Sequence, residues 1–181
     1  LIFELFSGVG LCNQLFSFET AVYLANILDR KLLLVIKNPL CHCGRATWDY
    51  GYLLNFFTTD YYKFLPHGLD VYYKDVPSEL AEKMNDSNAI MNEYRFSYVV
   101  FVDADLNIES NKQHISDFCH NRNTVDFDVN KHHDKEYVYI NKTNASRCFY
   151  NFYTKKENYQ LMYDICCAIK FKQIYYDIAN M

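Results

Sequence analysis

Apolar residues in the first 36 positions form two short continuous runs, separated by a segment with helical spacing. The runs, residues 1–6 and 32–36, have the length and composition of buried strands. Between them, residues 15–28 repeat apolar side chains at helical intervals, which predicts an amphipathic helix with one face toward the core. Because strands without polar alternation are covered on both faces, the pattern predicts a βαβ unit within a parallel sheet.

The rest of the chain continues the alternation of strand and helix. Strands are predicted at residues 70–73, 98–102 and 136–140. Helices are predicted at residues 48–57, 77–84 and 110–119, and as two segments between 156 and 180 that separate near Lys170. No internal repeat and no Gly/Ser linker divides the chain. We therefore expect one α/β domain over residues 1–181, a Rossmann-like parallel sheet with helices on both faces.

Composition narrows the class of protein. Half of the 181 residues are hydrophobic and 18% are aromatic, which argues against disorder. The formal net charge of −4, with no basic run, argues against a nucleic-acid partner. No apolar run approaches the about 20 residues needed to span a membrane. The seven cysteines are odd in number and include an adjacent pair, a pattern unlike a disulfide framework, which favours a reducing, cytoplasmic compartment. The chain begins at Leu1, so a preceding signal toward the ER or Golgi lumen is also compatible.

A glycine-containing turn connects the first predicted strand to the first predicted helix. It comprises Gly8-Val9-Gly10-Leu11-Cys12-Asn13-Gln14, with Asn13 at a suitable position to cap the helix. Such a turn directs free backbone N–H groups and the positive end of the helix dipole at one point, which suits a phosphate. The same glycines are also compatible with an ordinary tight turn that binds nothing.

The residues of this turn add a resemblance. Gly10-Leu11-Cys12-Asn13-Gln14-Leu15-Phe16, followed by Ala21, Leu24, Ala25 and the run at 30–34, resembles the opening of the GDP-fucose-dependent fucosyltransferases, the α-1,2/α-1,6- and protein-O-fucosyltransferase group. The resemblance is dense over residues 1–36. It implies the N-terminal, acceptor-side domain of a two-domain GT-B glycosyltransferase, which transfers fucose to a glycan or protein hydroxyl without a metal. Two family glycines are replaced, by Val9 and by Cys12, and the Cys12 side chain is expected to crowd the loop.

The resemblance also implies roles for individual residues. Asn13 would be the catalytic residue, stabilising charge on the departing β-phosphate through a hydrogen bond. The donor-binding residues would be Gly10, Leu11, Cys12, Asn13 and Gln14. In that family a helix similar to residues 171–180 precedes a His-x-Arg-Arg-x-Asp strand, which holds the GDP diphosphate with arginine. That motif does not occur in residues 1–181. We therefore expect this chain alone to bind GDP-fucose poorly and to turn over little or nothing.

Two other classes of function remain open. Asp103-Ala104-Asp105 follows the predicted strand at 98–102, and an Asp-x-Asp at a strand end is typical of the Mn²⁺ site of metal-dependent glycosyltransferases. Acidic residues also end strands for purely structural reasons. The third possibility is a non-catalytic carbohydrate-binding or interaction domain, in which Val9 and Cys12 mark the loss of donor binding.

Overall fold

Four parallel strands form the centre of the computed structural model, which describes residues 1–5, 11–40, 51–85, 135–140 and 156–181. The strands are β1 (Ile2–Glu4), β2 (Leu32–Ile36), β3 (Leu69–Tyr73) and β4 (Tyr139–Ile140). They lie in the order β3-β2-β1-β4, and every neighbouring pair is parallel. The predicted α/β fold with a parallel sheet is therefore confirmed.

Within the ranges that the structure describes, four helices and two short 3-10 helices accompany these strands. The helices are α1 (Leu11–Ile27), α2 (Ser78–Asn85), α3 (Lys156–Ala168) and α4 (Gln173–Ala179), and the 3-10 helices are Leu53–Phe56 and Asp60–Phe64. The predicted helix at 77–84 and the two C-terminal helices are confirmed. Of the helix predicted at 48–57, the described residues form only the 3-10 turn. The strand predicted at 98–102 and the helix predicted at 110–119 lie outside the described residues.

Helices cover both faces of the sheet because neighbouring residues of a strand point to opposite sides. Phe3 of β1 belongs to the larger apolar cluster, which includes residues of α1 and α3. Ile2 belongs to a second cluster, in which Leu80 and Met84 of α2 pack against the other face. The continuous apolar runs predicted from the sequence thus meet a helix layer on each side, as parallel strands require.

α1 is buried on nearly every side, so the prediction of an amphipathic helix is wrong. Tyr23 lies on the side that the helical pattern assigns to solvent, yet it is only 2% exposed. The reason is a second layer: α3 and both 3-10 helices pack against α1, in addition to β2. On the side that the pattern assigns to the core, Phe18 meets the Tyr61 ring edge to face at 5.0 Å between centroids. Among the helices of the described ranges, none is long and apolar enough to cross a bilayer.

Candidate functional site at the carboxyl edge of the sheet

The carboxyl ends of β1 and β4 lie side by side at the point where the order of strands reverses: β2 and β3 lie on one side of β1, and β4 lies on the other. In open α/β sheets, ligands bind outside the carboxyl ends of the strands at such a switch point. α1 begins at Leu11, shortly after the end of β1, so the unbonded N–H groups of its first turn belong to this edge. This edge is the candidate site.

The predicted donor-binding residues fall at the beginning of α1. Leu11 is half-buried, Cys12 is an exposed free thiol, and Gln14 is fully buried. Asn13 lies within the first turn of α1 and is not its cap, because the helix starts at Leu11 and not at residue 15 as predicted. Cys12 likewise lies in the helix and not in a loop. Gly10 lies outside the described residues.

A buried carboxylate, absent from the residues predicted for the site, lies at the same edge. Glu4 is the last residue of β1 and is 4% exposed. Its Oε2 accepts a hydrogen bond of 2.7 Å from the hydroxyl of Tyr139 on β4. Its Oε1 lies 2.9 Å from Nζ of Lys37, the residue that follows β2. Glu4 thus joins three neighbouring strands, and the two contacts compensate for the removal of its charge from water.

The surroundings of Glu4 fix the protonation of its partner. Burial raises the pKa of the Tyr139 hydroxyl, and the hydrogen bond to Glu4 and the charge of that carboxylate raise it further. Tyr139 is therefore a neutral hydrogen-bond donor at physiological pH. The Lys37 side chain remains 44% exposed, so its ammonium group reaches the surface beside the switch point. A buried carboxylate with a half-exposed cation can orient a polar ligand without presenting a large net charge.

The sequence did contain a signal for this cluster. Glu4 interrupts an apolar run that was predicted to be covered on both faces, and a charged residue in such a position requires a partner. The identity of the partner was not predictable, because Tyr139 is 135 residues away in the chain.

A cavity of about 560 Å³ lies at the opposite, amino edge of the strands. Two of its basic side chains, Lys31 and Arg30, hold that edge together. Lys31 pairs with Asp70 at 2.8 Å, and their hydrogen bond raises the pKa of Lys31. Arg30 donates hydrogen bonds to the backbone carbonyls of Lys135 and Glu136, just before β4. Since these contacts fasten the starts of β2, β3 and β4, we assign this cavity a structural role.

Within the described ranges, no three His, Cys, Asp or Glu side chains are grouped so as to hold a metal ion. Asp103 and Asp105, the alternative metal ligands, lie outside those ranges. Comparison of the chain with protein families, with curated proteins and with solved structures gives no match.

Proposed function

We propose that this chain is the acceptor-side domain of a glycosyltransferase that takes fucose from GDP-fucose. One observation carries the proposal: the sequence that resembles the fucosyltransferase donor loop leads into α1 at the carboxyl edge, beside the β1/β4 switch point. That edge is where parallel α/β sheets bind nucleotides, and a helix N-terminus is a ready site for a phosphate oxygen. The position of α1 at this edge and the residue types of the turn before it therefore both support a diphosphate-linked sugar as the ligand.

The proposed reaction is a direct transfer. The acceptor hydroxyl oxygen bonds to the anomeric carbon of fucose, the bond from that carbon to the β-phosphate oxygen breaks, and GDP leaves with the electron pair. The acceptor proton passes to a base. As negative charge grows on the leaving phosphate, the Asn13 amide and the first-turn N–H groups of α1 donate hydrogen bonds to it. In this proposal no metal ion takes part, and Asp103 and Asp105 have no role.

The proposal is tested by titrating the full 181-residue chain with GDP-fucose and following backbone amide signals by NMR. We expect saturable shifts of the amides of residues 11–14, with a dissociation constant of about 1 mM or weaker. Weak binding is expected because the arginine motif that grips GDP in the family does not occur in these residues. UDP-galactose at equal concentration serves as the control ligand and is expected to cause smaller shifts.

Asn13→Ala is the matching variant, and Asn180→Ala, at the exposed C-terminal end, is its control. We expect Asn13→Ala to weaken the GDP-fucose response and Asn180→Ala to leave it unchanged. An absence of shifts at residues 11–14, or an identical response to both nucleotide sugars, would contradict the proposal. GDP-fucose binding that appears only with Mn²⁺, and disappears in Asp105→Ala, would instead support the metal-dependent alternative.

A further inference from the structure

Four tyrosines gather near the carboxyl end of β3, the outermost strand on one side of the sheet as the described residues form it. Tyr73 is the last residue of β3, and the Tyr52 ring lies 4.3 Å from it between centroids. Tyr61 and Tyr62, in the 3-10 helix Asp60–Phe64, stack on each other at 5.0 Å with an interplanar angle of 24°. We name Tyr52, Tyr61, Tyr62 and Tyr73 the tyrosine cluster.

The tyrosine cluster is anchored on one side and open on the other. Tyr61 is 3% exposed and is held by Phe18 of α1. Tyr62 and Tyr73 are 44% and 39% exposed, although both are large aromatic residues. Because its buried member packs into the core, the cluster presents two rings to solvent on a rigid support.

The hydroxyl groups give this surface a polar and uncharged character. Burial raises the pKa of the Tyr61 hydroxyl, and the neighbouring hydroxyls of Tyr62 and Tyr73 raise it further. Burial, with Tyr52 and Tyr62 nearby, also raises the pKa of Tyr73. The Tyr52 hydroxyl is buried and has no hydrogen-bond partner within the described part of the chain. The surface therefore combines aromatic faces with neutral hydroxyl donors and acceptors.

We propose that the tyrosine cluster binds the glycan acceptor, with Tyr62 and Tyr73 contacting the pyranose rings of a neutral oligosaccharide. The choice of a glycan rests on the proposed function, in which the acceptor supplies a hydroxyl. A pyranose ring has an apolar C–H face that packs on an aromatic side chain and a rim of hydroxyls that pair with tyrosine hydroxyls. Tyrosine suits this use because it is rigid and amphipathic and loses little entropy on binding.

The position of the cluster fits an acceptor site. β3 lies two strands from β1 in the sheet, a separation of about 10 Å at the usual strand spacing. The last residue of β3 is therefore at the same edge of the sheet as the first turn of α1, beside it. A purely apolar partner fits less well, because it would cover the tyrosine hydroxyls without offering them hydrogen bonds.

The experiment measures binding of the full chain to immobilised neutral oligosaccharides that end in galactose, glucose, mannose or N-acetylglucosamine. We expect retention on at least one of them and a loss of affinity of about tenfold in Tyr62→Ala and in Tyr73→Ala, the scale expected for removing a stacked aromatic contact. Tyr62→Phe keeps the ring and is expected to lose less than Tyr62→Ala. Tyr163→Ala, which removes a tyrosine that is 64% exposed on α3, is the matched control and is expected to bind as the unmodified chain does.

Absence of binding to every one of these glycans would overturn the inference, as would equal binding by Tyr62→Ala and the unmodified chain. Self-association that Tyr62→Ala abolishes, without glycan binding, would assign the surface to a second copy and overturn it as well. If Tyr73→Ala does not fold, glycan-dependent NMR shifts of the Tyr62 and Tyr73 amides in the unmodified chain decide the question.

GDP-fucose shifts at residues 11–14 without glycan binding would refute this inference alone. Glycan binding without GDP-fucose shifts would refute the proposed transferase and leave a carbohydrate-binding domain.

Discussion

Glu4 shows how one charged residue can be accommodated where the chain is otherwise apolar. Its carboxylate is enclosed at the end of β1, and its two oxygens are engaged by a hydroxyl from β4 and an ammonium group following β2. Removing one partner of a buried charge is costly, since the remaining group is left without compensation. The strength of the arrangement therefore depends on both Tyr139 and Lys37.

At the residue scale, Tyr139→Phe is expected to lower the free energy of unfolding by about 1.5–3 kcal/mol. The substitution keeps the ring and removes only the donor to the buried carboxylate. Urea denaturation measures the change, and Tyr176→Phe, at a half-exposed position on α4, is expected to stay within about 0.5 kcal/mol. Equal effects of the two substitutions would mean that the bond to Glu4 contributes nothing in solution.

At the scale of elements, the sequence predicted the strands better than the surroundings of the first helix. β2 and β3 were predicted within one residue, because a compact apolar run between polar residues is a local signal. The burial of α1 was not predictable, because it depends on α3, which begins more than 120 residues later. The site divides in the same way. Residues 10–14 could be proposed as site residues because they are adjacent in the sequence. The hydrogen bond between Glu4 and Tyr139 could not be predicted, because it joins distant parts of the chain.

The layer over α1 gives an element-scale prediction. Tyr23→Ala is expected to lower the free energy of unfolding by about 3–5 kcal/mol, because it leaves a cavity where a large side chain is only 2% exposed. Phe16→Ala, on the same side of the helix but 37% exposed, is the control and is expected to cost about 1–2 kcal/mol. Both values come from chemical denaturation. A cost for Tyr23→Ala no greater than for Phe16→Ala would contradict the second layer.

At the scale of the whole molecule, three tyrosines of the described residues contribute to a loss of stability at alkaline pH. The pKa values of Tyr61, Tyr73 and Tyr139 are all raised by burial above the value near 10 of an unfolded tyrosine. Above that pH the unfolded chain has released protons that the folded chain retains, so the free energy of unfolding falls as the pH rises. Below about pH 10 this contribution is fully present.

We therefore expect stability to decline between about pH 10 and the raised pKa values of the folded state, as measured by urea denaturation at a series of pH values. Tyr139→Phe is expected to make the decline shallower, because one of the shifted groups is gone. Tyr176→Phe again serves as the control and is expected to leave the slope unchanged. A constant stability across this range would show that these hydroxyls are solvated in the folded chain.

Within the described residues, β4 pairs with β1 through Tyr139 and Ile140. Because Tyr139 lies opposite Ile2, its side chain is on the face of the sheet that also carries Glu4. A slip of one position would exchange the two faces of the strand and carry the tyrosine hydroxyl away from Glu4. The hydrogen bond between Tyr139 and Glu4 therefore favours the observed register of β4 over a register shifted by one residue. If β4 detached, that flank of β1 would be an unpaired edge able to pair with another polypeptide, so the same hydrogen bond also protects the sheet against aggregation.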